Sequence, residues 1–146
     1  MTLADAAATA AFGTRLAGVV RAGDVVTLTG PLGAGKTSIA RGMLAALGLA
    51  GEAPSPSFAI VQPYAPPEVT LPVVHVDLYR IDDPDEIEEL GLEEQRDDAV
   101  LLVEWPERAG AGYWPDALMI TLSVAPDGVR CLTATVPAAW TDRWPI

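Results

Sequence analysis

Residues 30–37 contain the residue types that a phosphate-binding loop requires. Their sequence, Gly-Pro-Leu-Gly-Ala-Gly-Lys-Thr, matches the pattern G-x-x-x-x-G-K-[ST], and Lys36 is the only lysine of the chain. In this pattern backbone N–H groups close around phosphate, the lysine ammonium reaches the β- and γ-phosphates, and the hydroxyl ligates Mg²⁺. We therefore expect a nucleotide to be bound by Pro31, Leu32, Gly33, Ala34, Gly35, Lys36, Thr37 and Ser38.

The flanking sequence predicts the strand and the helix that would hold this loop. Residues 24–29 form a β-branched run, which favours a buried strand leading into the loop. From residue 36 to residue 47 the apolar side chains recur at helical spacing, and Gly48 is placed to end the helix. The N-terminus of this helix would direct its positive dipole end at the phosphates.

Two carboxylates are expected at strand ends. Glu104 follows residues 99–103, a continuous apolar run typical of a central strand buried on both faces, and Asp77 lies within a predicted strand at residues 73–78. Nucleotide hydrolysis requires an acid that holds Mg²⁺ and a group that orients the attacking water. We predict Glu104 as a metal or water ligand and Asp77 as a second catalytic residue; the sequence leaves open which of them orients the water.

The residues beside these acids have alternative interpretations. His75 shares a strand face with Asp77 by the two-residue period. We expect it to be a hydrogen-bonded structural residue, with orientation of Asp77 as the alternative. Trp105 is predicted to contact the nucleotide, and a partner protein is the alternative contact.

Two further polar segments are also open to two interpretations. The hydroxyls of Ser55 and Ser57, in a loop before a strand, either sense a γ-phosphate or bond their own backbone. The acidic run at residues 82–94 is either a docking face or a solvated surface.

The whole pattern predicts one domain over residues 1–146. Its expected fold is α/β, a three-layer P-loop NTPase with a central, mostly parallel mixed sheet flanked by helices and a C-terminal β-hairpin. The remaining predicted elements are a helix over residues 3–20, a strand within 55–61, a proline-rich loop over 63–72, a short helix within 82–94 with Asp83 as N-cap and Pro84 at its first position, and a hairpin of 118–124 and 129–136.

Composition restricts the classes of function. The formal net charge of −11 disfavours direct, tight RNA or DNA binding, because that affinity comes largely from Lys and Arg. No stretch approaches the roughly 18 apolar residues of a membrane span, and the N-terminus lacks the basic start of a secretory signal, so we expect a cytoplasmic protein without a membrane partner. The single cysteine, Cys131, is expected to fill a strand position as a small apolar side chain.

Four motifs, taken in order, resemble the bacterial TsaE family, formerly called YjeE. They are the loop at 30–37, Ser-Pro-Ser-Phe at 55–58, His-Val-Asp-Leu-Tyr-Arg at 75–80 and Glu-Trp-Pro at 104–106. One departure is Ser57, where the family usually has threonine. The resemblance implies ATP hydrolysis that, together with TsaB, TsaD and TsaC, supports formation of N6-threonylcarbamoyladenosine at position 37 of tRNAs reading codons that begin with A.

The resemblance also implies ligands and residue roles. ATP or ADP and Mg²⁺ would be the cofactors, TsaD and TsaB the protein partners, and tRNA would be contacted only indirectly. Lys36 and Thr37 would serve phosphate and Mg²⁺, and Glu104 would complete the metal site. Asp77 would assist hydrolysis, and Trp105 would lie close to the nucleotide.

Three other functions are alternatives to ATP hydrolysis. A GTPase is disfavoured, because the Asn-Lys-x-Asp motif needs a second lysine and no Asp-x-x-Gly occurs. A small-molecule kinase could use Asp77 as a base and Arg80 or Arg108 as a phosphate clamp. A nucleotide-dependent adaptor, in which turnover is incidental, is the third.

Overall fold

A computed structural model describes residues 1–51 and 61–146 of the chain. Within these residues, seven strands form one mixed sheet in the order β1-β7-β6-β2-β5-β4-β3. The elements are β1 (Thr2–Leu3), α1 (Ala6–Ala17), β2 (Val25–Thr29), α2 (Lys36–Ala46), β3 (Val61–Tyr64), β4 (Val73–Asp77), α3 (Asp85–Glu88), α4 (Leu92–Gln95), β5 (Val100–Glu104), β6 (Leu118–Val124) and β7 (Arg130–Thr135), with 3₁₀ turns at Pro106–Ala109 and Ala138–Trp140.

The centre of the sheet is parallel and its edges are antiparallel. Strands β6, β2, β5 and β4 run parallel to one another, whereas the pairings of β6 with β7 and of β7 with β1 on one side, and of β4 with β3 on the other, are antiparallel. Carboxyl ends of parallel strands meet at one edge of a sheet, where α/β proteins bind their ligands. The predicted α/β fold and the terminal hairpin of β6 and β7 are confirmed.

Helices cover both faces of the sheet and produce three layers. Successive residues of a strand point to opposite faces. Val26 and Leu28 of β2 therefore pack with α1 and α2, while Val25 of the same strand joins a second core formed with α3, α4 and Trp114. The loop and helix α2 lie on the first of these faces.

Helix α1 packs very closely on α2 because two glycines meet the opposite backbone. A Cβ on Gly13 would overlap the carbonyl oxygen of Ile39, and a Cβ on Gly42 would overlap that of Ala10. Glycine has a low helix propensity, so Gly13 is unfavourable within α1. The close contact with α2 explains why glycine occupies this position. Helix α2 ends as predicted: Gly48, with φ of 112°, and Leu49 donate to Ala45 and Leu44 in a Schellman motif.

The predicted first helix began too early. Thr2 and Leu3 pair with β7 instead, and the helix starts at Ala6. Asp5 is its N-cap: the residue is extended and its carboxylate accepts from Ala8 N at 2.8 Å. The pairing partner of Leu3 lies more than a hundred residues away, so no local pattern indicates it.

The acidic segment forms two short helices, not one. Gly91 adopts a left-handed conformation, with φ of 67°, and separates α3 from α4. Pro84 occupies the N-cap position predicted for Asp83, whose carboxylate accepts from Asp85 N in a turn. Both corrections concern an acid-rich segment in which few apolar residues indicate where a helix begins or ends.

The structure also tests the predictions made for the proline-rich loop and for Cys131. Pro63 belongs to β3 and not to a loop, which is tolerated because β3 is an edge strand. Cys131 occupies a strand position on β7, as predicted, and its side chain is exposed. Ser55 and Ser57 lie outside the described residues. Across residues 1–51 and 61–146, no helix combines the length and apolar character needed to cross a membrane.

Candidate functional site

The loop between β2 and α2 depends on glycine at two positions. Gly30 has φ of 156°, and a Cβ there would lie 2.7 Å from the carbonyl oxygen of Leu122. Gly35 has φ of 112°, and a Cβ there would crowd Thr9 and Arg130 at 3.0 Å. The first free amides of α2 follow directly after Gly35, so this end of the helix favours an anion.

The ammonium of Lys36 is held inside the loop. Nζ donates to the carbonyl oxygens of Gly30 at 2.5 Å and Pro31 at 2.9 Å, and it lies 4.4 Å from the centre of the Trp105 ring. Burial lowers the pKa of Lys36 below its usual 10.5, although Glu104 and other acids act in the opposite direction. A poorly solvated ammonium interacts more strongly with an approaching anion than one in bulk water.

Glu104 and Thr37 meet at the carboxyl end of β5. The hydroxyl of Thr37 donates to Glu104 Oε1 at 3.1 Å and lies 3.3 Å from Oε2. The second partner of this carboxylate is His75, whose Nε2 is 2.7 Å from Oε2. His75 is thus a buried, hydrogen-bonded residue, as expected, and its partner is Glu104, whereas the alternative drawn from the sequence was Asp77.

The oxygens of Thr37 and Glu104 fit a magnesium ion. Adjacent oxygens in a regular Mg²⁺ octahedron lie about 2.9 Å apart, since each metal–oxygen bond is about 2.05 Å. The observed 3.1 Å between Thr37 Oγ1 and Glu104 Oε1 is close to that spacing. Among the described residues no group of three or more His, Cys, Asp or Glu side chains could hold a metal. The ion would complete its shell with phosphate and water oxygens, as Mg²⁺ commonly does.

Asp77 lies next to Glu104 across the sheet. The two residues are paired in the parallel register of β4 and β5. Asp77 is buried, and its Oδ1 accepts from Tyr79 N at 2.9 Å. Its carboxylate lines the same cleft as Lys36, so both predicted acids reach one site.

Trp105 has an unusual backbone for its type. Its φ of 59° and ψ of 49° make it the single non-glycine residue with positive φ in the described part of the chain. Such a conformation costs of order 1–3 kcal/mol and is concentrated at functional sites. It places the indole between Lys36 and the ring of Tyr79, whose centre is 4.9 Å away.

These residues enclose a cleft of about 300 Å³ at the edge of the sheet. Arg130, which was not predicted, lines it. Nine of the predicted site residues line it too: Leu32, Gly33, Gly35, Lys36, Thr37, Ser38, Asp77, Glu104 and Trp105. Two predicted residues do not line it. Ala34 is buried in the core, and Pro31 contributes a carbonyl oxygen to Lys36.

Arg130 was missed by the sequence analysis. It begins β7, and its Nη1 donates to Thr9 Oγ1 at 3.0 Å, beside Gly35. The available signal was indirect: β6 runs parallel to β2, so the turn after β6 reaches the same sheet edge as the loop. An arginine directly after that turn is therefore a candidate for the site.

A glycine-rich loop between a central parallel strand and the N-terminus of a helix, with acids on the neighbouring strand ends, defines a P-loop protein of the α/β class. A model of the family described as "Threonylcarbamoyl adenosine biosynthesis protein TsaE" matches residues 3–131. The chain belongs to the TsaE family, whose members are named for tRNA threonylcarbamoyladenosine biosynthesis.

Individual relatives agree with this assignment. The chain is 41% identical over 137 residues to the tRNA threonylcarbamoyladenosine biosynthesis protein TsaE of Streptomyces coelicolor, covering 90% of each chain. It is 38% identical over 135 residues to the Bacillus subtilis protein of the same name, covering 92% of this chain and 78% of the relative. The crystal structure of Bacillus subtilis YdiB is similar, with a TM-score of 0.81 and 30% identity, covering 97% of this chain and 87% of that one.

Proposed function

We propose that this protein binds Mg-ATP in the cleft and hydrolyses it to support threonylcarbamoyladenosine formation on tRNA in the cytoplasm. The observation that carries the proposal is the pairing of Thr37 Oγ1 and Glu104 Oε1 at 3.1 Å beside the ammonium of Lys36. A hydroxyl and a carboxylate at metal-sharing distance, next to a phosphate-binding cation, are the parts that P-loop hydrolases use.

The residues of the cleft would divide the work. Lys36 and the amides at the start of α2 would bind the phosphates, and Thr37 and Glu104 would hold Mg²⁺, which neutralises phosphate charge when bound. Glu104 already has two partners, Thr37 and His75. With Glu104 assigned to the ion, Asp77, which lines the same cleft, would orient the attacking water. Trp105 would lie beside the nucleotide, and Arg130 would supply a second cation.

The protein would act through partners and not by gripping RNA. With a formal net charge of −11 it has few cations to offer a phosphate backbone. We propose TsaD and TsaB as its partners, with tRNA contacted only indirectly. The names of its relatives support a role in the pathway.

A kinase has less support than hydrolysis. Arg108, one of the two proposed phosphate clamps, has its guanidinium 5.6 Å from the centre of the Tyr79 ring and does not line the cleft. Phosphate release with and without TsaB and TsaD separates hydrolysis from an adaptor role: stimulation supports the ATPase, and negligible release in both supports the adaptor.

The site itself is tested with two substitutions. Lys36→Ala should abolish nucleotide binding, and Glu104→Gln should reduce Mg²⁺-dependent hydrolysis by ~100-fold or more while leaving binding in EDTA largely intact. Glu94→Gln, at an exposed position of α4 outside the cleft, is the charge-matched control. Binding is measured by calorimetry and turnover by phosphate release. Full activity of either site variant would contradict the proposal.

The pathway assignment is tested by reconstitution. Multiple-turnover tRNA modification with the partner proteins should stop when this chain is left out, and the Glu104→Gln variant should not restore it. Equal product over many turnovers without the chain would reject this role, whether or not the cleft binds ATP.

A further inference from the structure

His75 is a polar residue in an apolar strand. The rest of β4 up to Val76 consists of valines, and the His75 side chain is 1% exposed. Burying an imidazole costs free energy unless hydrogen bonds compensate. A valine or leucine would fill this position without that cost, so the imidazole is expected to have a task that an apolar residue could not perform.

The partner of His75 indicates the task. Nε2 lies 2.7 Å from Glu104 Oε2, and the Glu104 side chain is 3% exposed. His75 and Glu104 come from neighbouring parallel strands and face the side of the sheet that α2 covers. The contact with His75 fixes Oε2 of Glu104, while Oε1 accepts a hydrogen bond from the hydroxyl of Thr37.

The hydrogen bond to Glu104 determines which ring nitrogen of His75 carries a proton. Nδ1 is buried and has no hydrogen-bond partner among the described residues. A carboxylate oxygen can only accept, so Nε2 must carry the proton that joins His75 to Glu104.

We propose that His75 is a positioning residue that holds Glu104 in the orientation that binds Mg²⁺. This inference rests on the proposed function. A glutamate side chain has three rotatable bonds, and a short hydrogen bond to one oxygen removes most of that freedom. Such outer partners of metal-binding carboxylates typically contribute 10–100-fold to metal affinity. His75 touches neither nucleotide nor metal in this role and acts through Glu104.

The test separates Mg²⁺ binding from nucleotide binding. ADP affinity is measured by calorimetry over a series of Mg²⁺ concentrations and in EDTA. In His75→Leu the Mg²⁺ concentration for half-maximal tightening should rise about 10-fold, while ADP affinity in EDTA stays unchanged. His75→Gln places an amide N–H near the position of Nε2 and should restore most of the loss.

A control on the same strand accounts for stability. Val74 packs on the opposite face of the sheet, so Val74→Ala should lower the melting temperature without altering the Mg²⁺ dependence. A folded His75→Leu that behaves like Val74→Ala would overturn the positioning role, as would a glutamine variant as impaired as the leucine variant. Failure of the wild type to bind ADP would instead overturn the proposed function.

The wild-type protein provides an independent readout. Long-range ¹⁵N NMR of the His75 ring should show the proton on Nε2. A proton on Nδ1 alone would overturn the proposal even if the leucine variant does not fold.

Discussion

At the residue scale, the cleft is electrically distinct from the rest of the protein. The molecule carries 20 acidic and 9 basic residues, yet Lys36 and Arg130 both line the cleft, together with Asp77 and Glu104. The oxygens of Thr37 and Glu104 are spaced as a Mg²⁺ ion requires, and the two cations lie beside the loop. A local arrangement of this kind can attract a nucleotide in spite of the overall negative charge.

Substitution of Arg130 tests whether the cations of the cleft attract a nucleotide. Arg130→Ala should weaken ADP binding by about 10-fold, because a hydrogen bond to a charged group contributes about 1.5–3 kcal/mol. Arg130→Lys should recover part of the loss, since it restores charge without the planar fork of donors. Calorimetric titration of ADP in saturating Mg²⁺ gives the affinities.

The control is an arginine away from the cleft. Arg15 is exposed on α1, where its guanidinium lies 5.8 Å from the centre of the Phe12 ring. Arg15→Ala should bind ADP as the wild type does. If Arg130→Ala also retained wild-type affinity, Arg130 would be only a structural partner of Thr9.

At the element scale, the position of α2 depends on its crossing with α1. Gly13→Ala should lower the free energy of unfolding by more than ~2 kcal/mol, although alanine improves helix propensity by about 1 kcal/mol. The added methyl group would overlap the backbone of Ile39, which flexible side-chain motion cannot relieve. Urea denaturation measures the change, and a second effect on ADP affinity is expected because α2 carries the phosphate-binding amides.

Gly18 is the matched control for this substitution. It ends the same helix with φ of −75°, and a Cβ there would meet only the carbonyl oxygen of Arg15, at 3.4 Å. Gly18→Ala should therefore change stability by about 0.5 kcal/mol or less. Equal effects of the two substitutions would mean that close helix packing is not the reason for Gly13.

The elements also show where sequence reasoning works. Helix α2 and its end at Gly48 were predicted because loop, helix and cap are local signals in adjacent residues. The early strand at Thr2 and the contact of His75 with Glu104 were missed, because both depend on which distant strands become neighbours. Arg130 was missed for the same reason. Periodicity places a residue on a face of its own strand, but strand order decides what lies opposite.

At the scale of the whole molecule, both edges of the sheet formed by residues 1–51 and 61–146 discourage further strand pairing. One edge strand, β1, has only two residues, and the other, β3, contains Pro63. Short strands and proline at an edge are common ways to prevent association through the backbone. Pairing of a strand from another molecule is thus disfavoured at both of these edges.

Arg143 attaches the C-terminal segment to the rest of the domain. Its guanidinium forms two bonds with the Asp24 carboxylate, at 2.6 and 3.0 Å, and one with the carbonyl oxygen of Val19 at 2.9 Å. It also lies 3.9 Å from the centre of the Trp140 ring. These contacts join the last residues to the connection between α1 and β2, which leads into the phosphate-binding loop.

Loss of this buried contact should destabilise the whole fold. Arg143→Ala should lower the free energy of unfolding by about 3 kcal/mol, because it leaves the Asp24 carboxylate buried without its cation. The side chains of the pair are only 6% and 12% exposed. By contrast, Arg21 and Asp142 form a 3.8 Å pair with exposures of 64% and 70%, so Arg21→Ala should cost less than about 0.5 kcal/mol. Urea denaturation of both variants decides the matter, and similar small losses would show that the C-terminal segment contributes little to the stability of the domain.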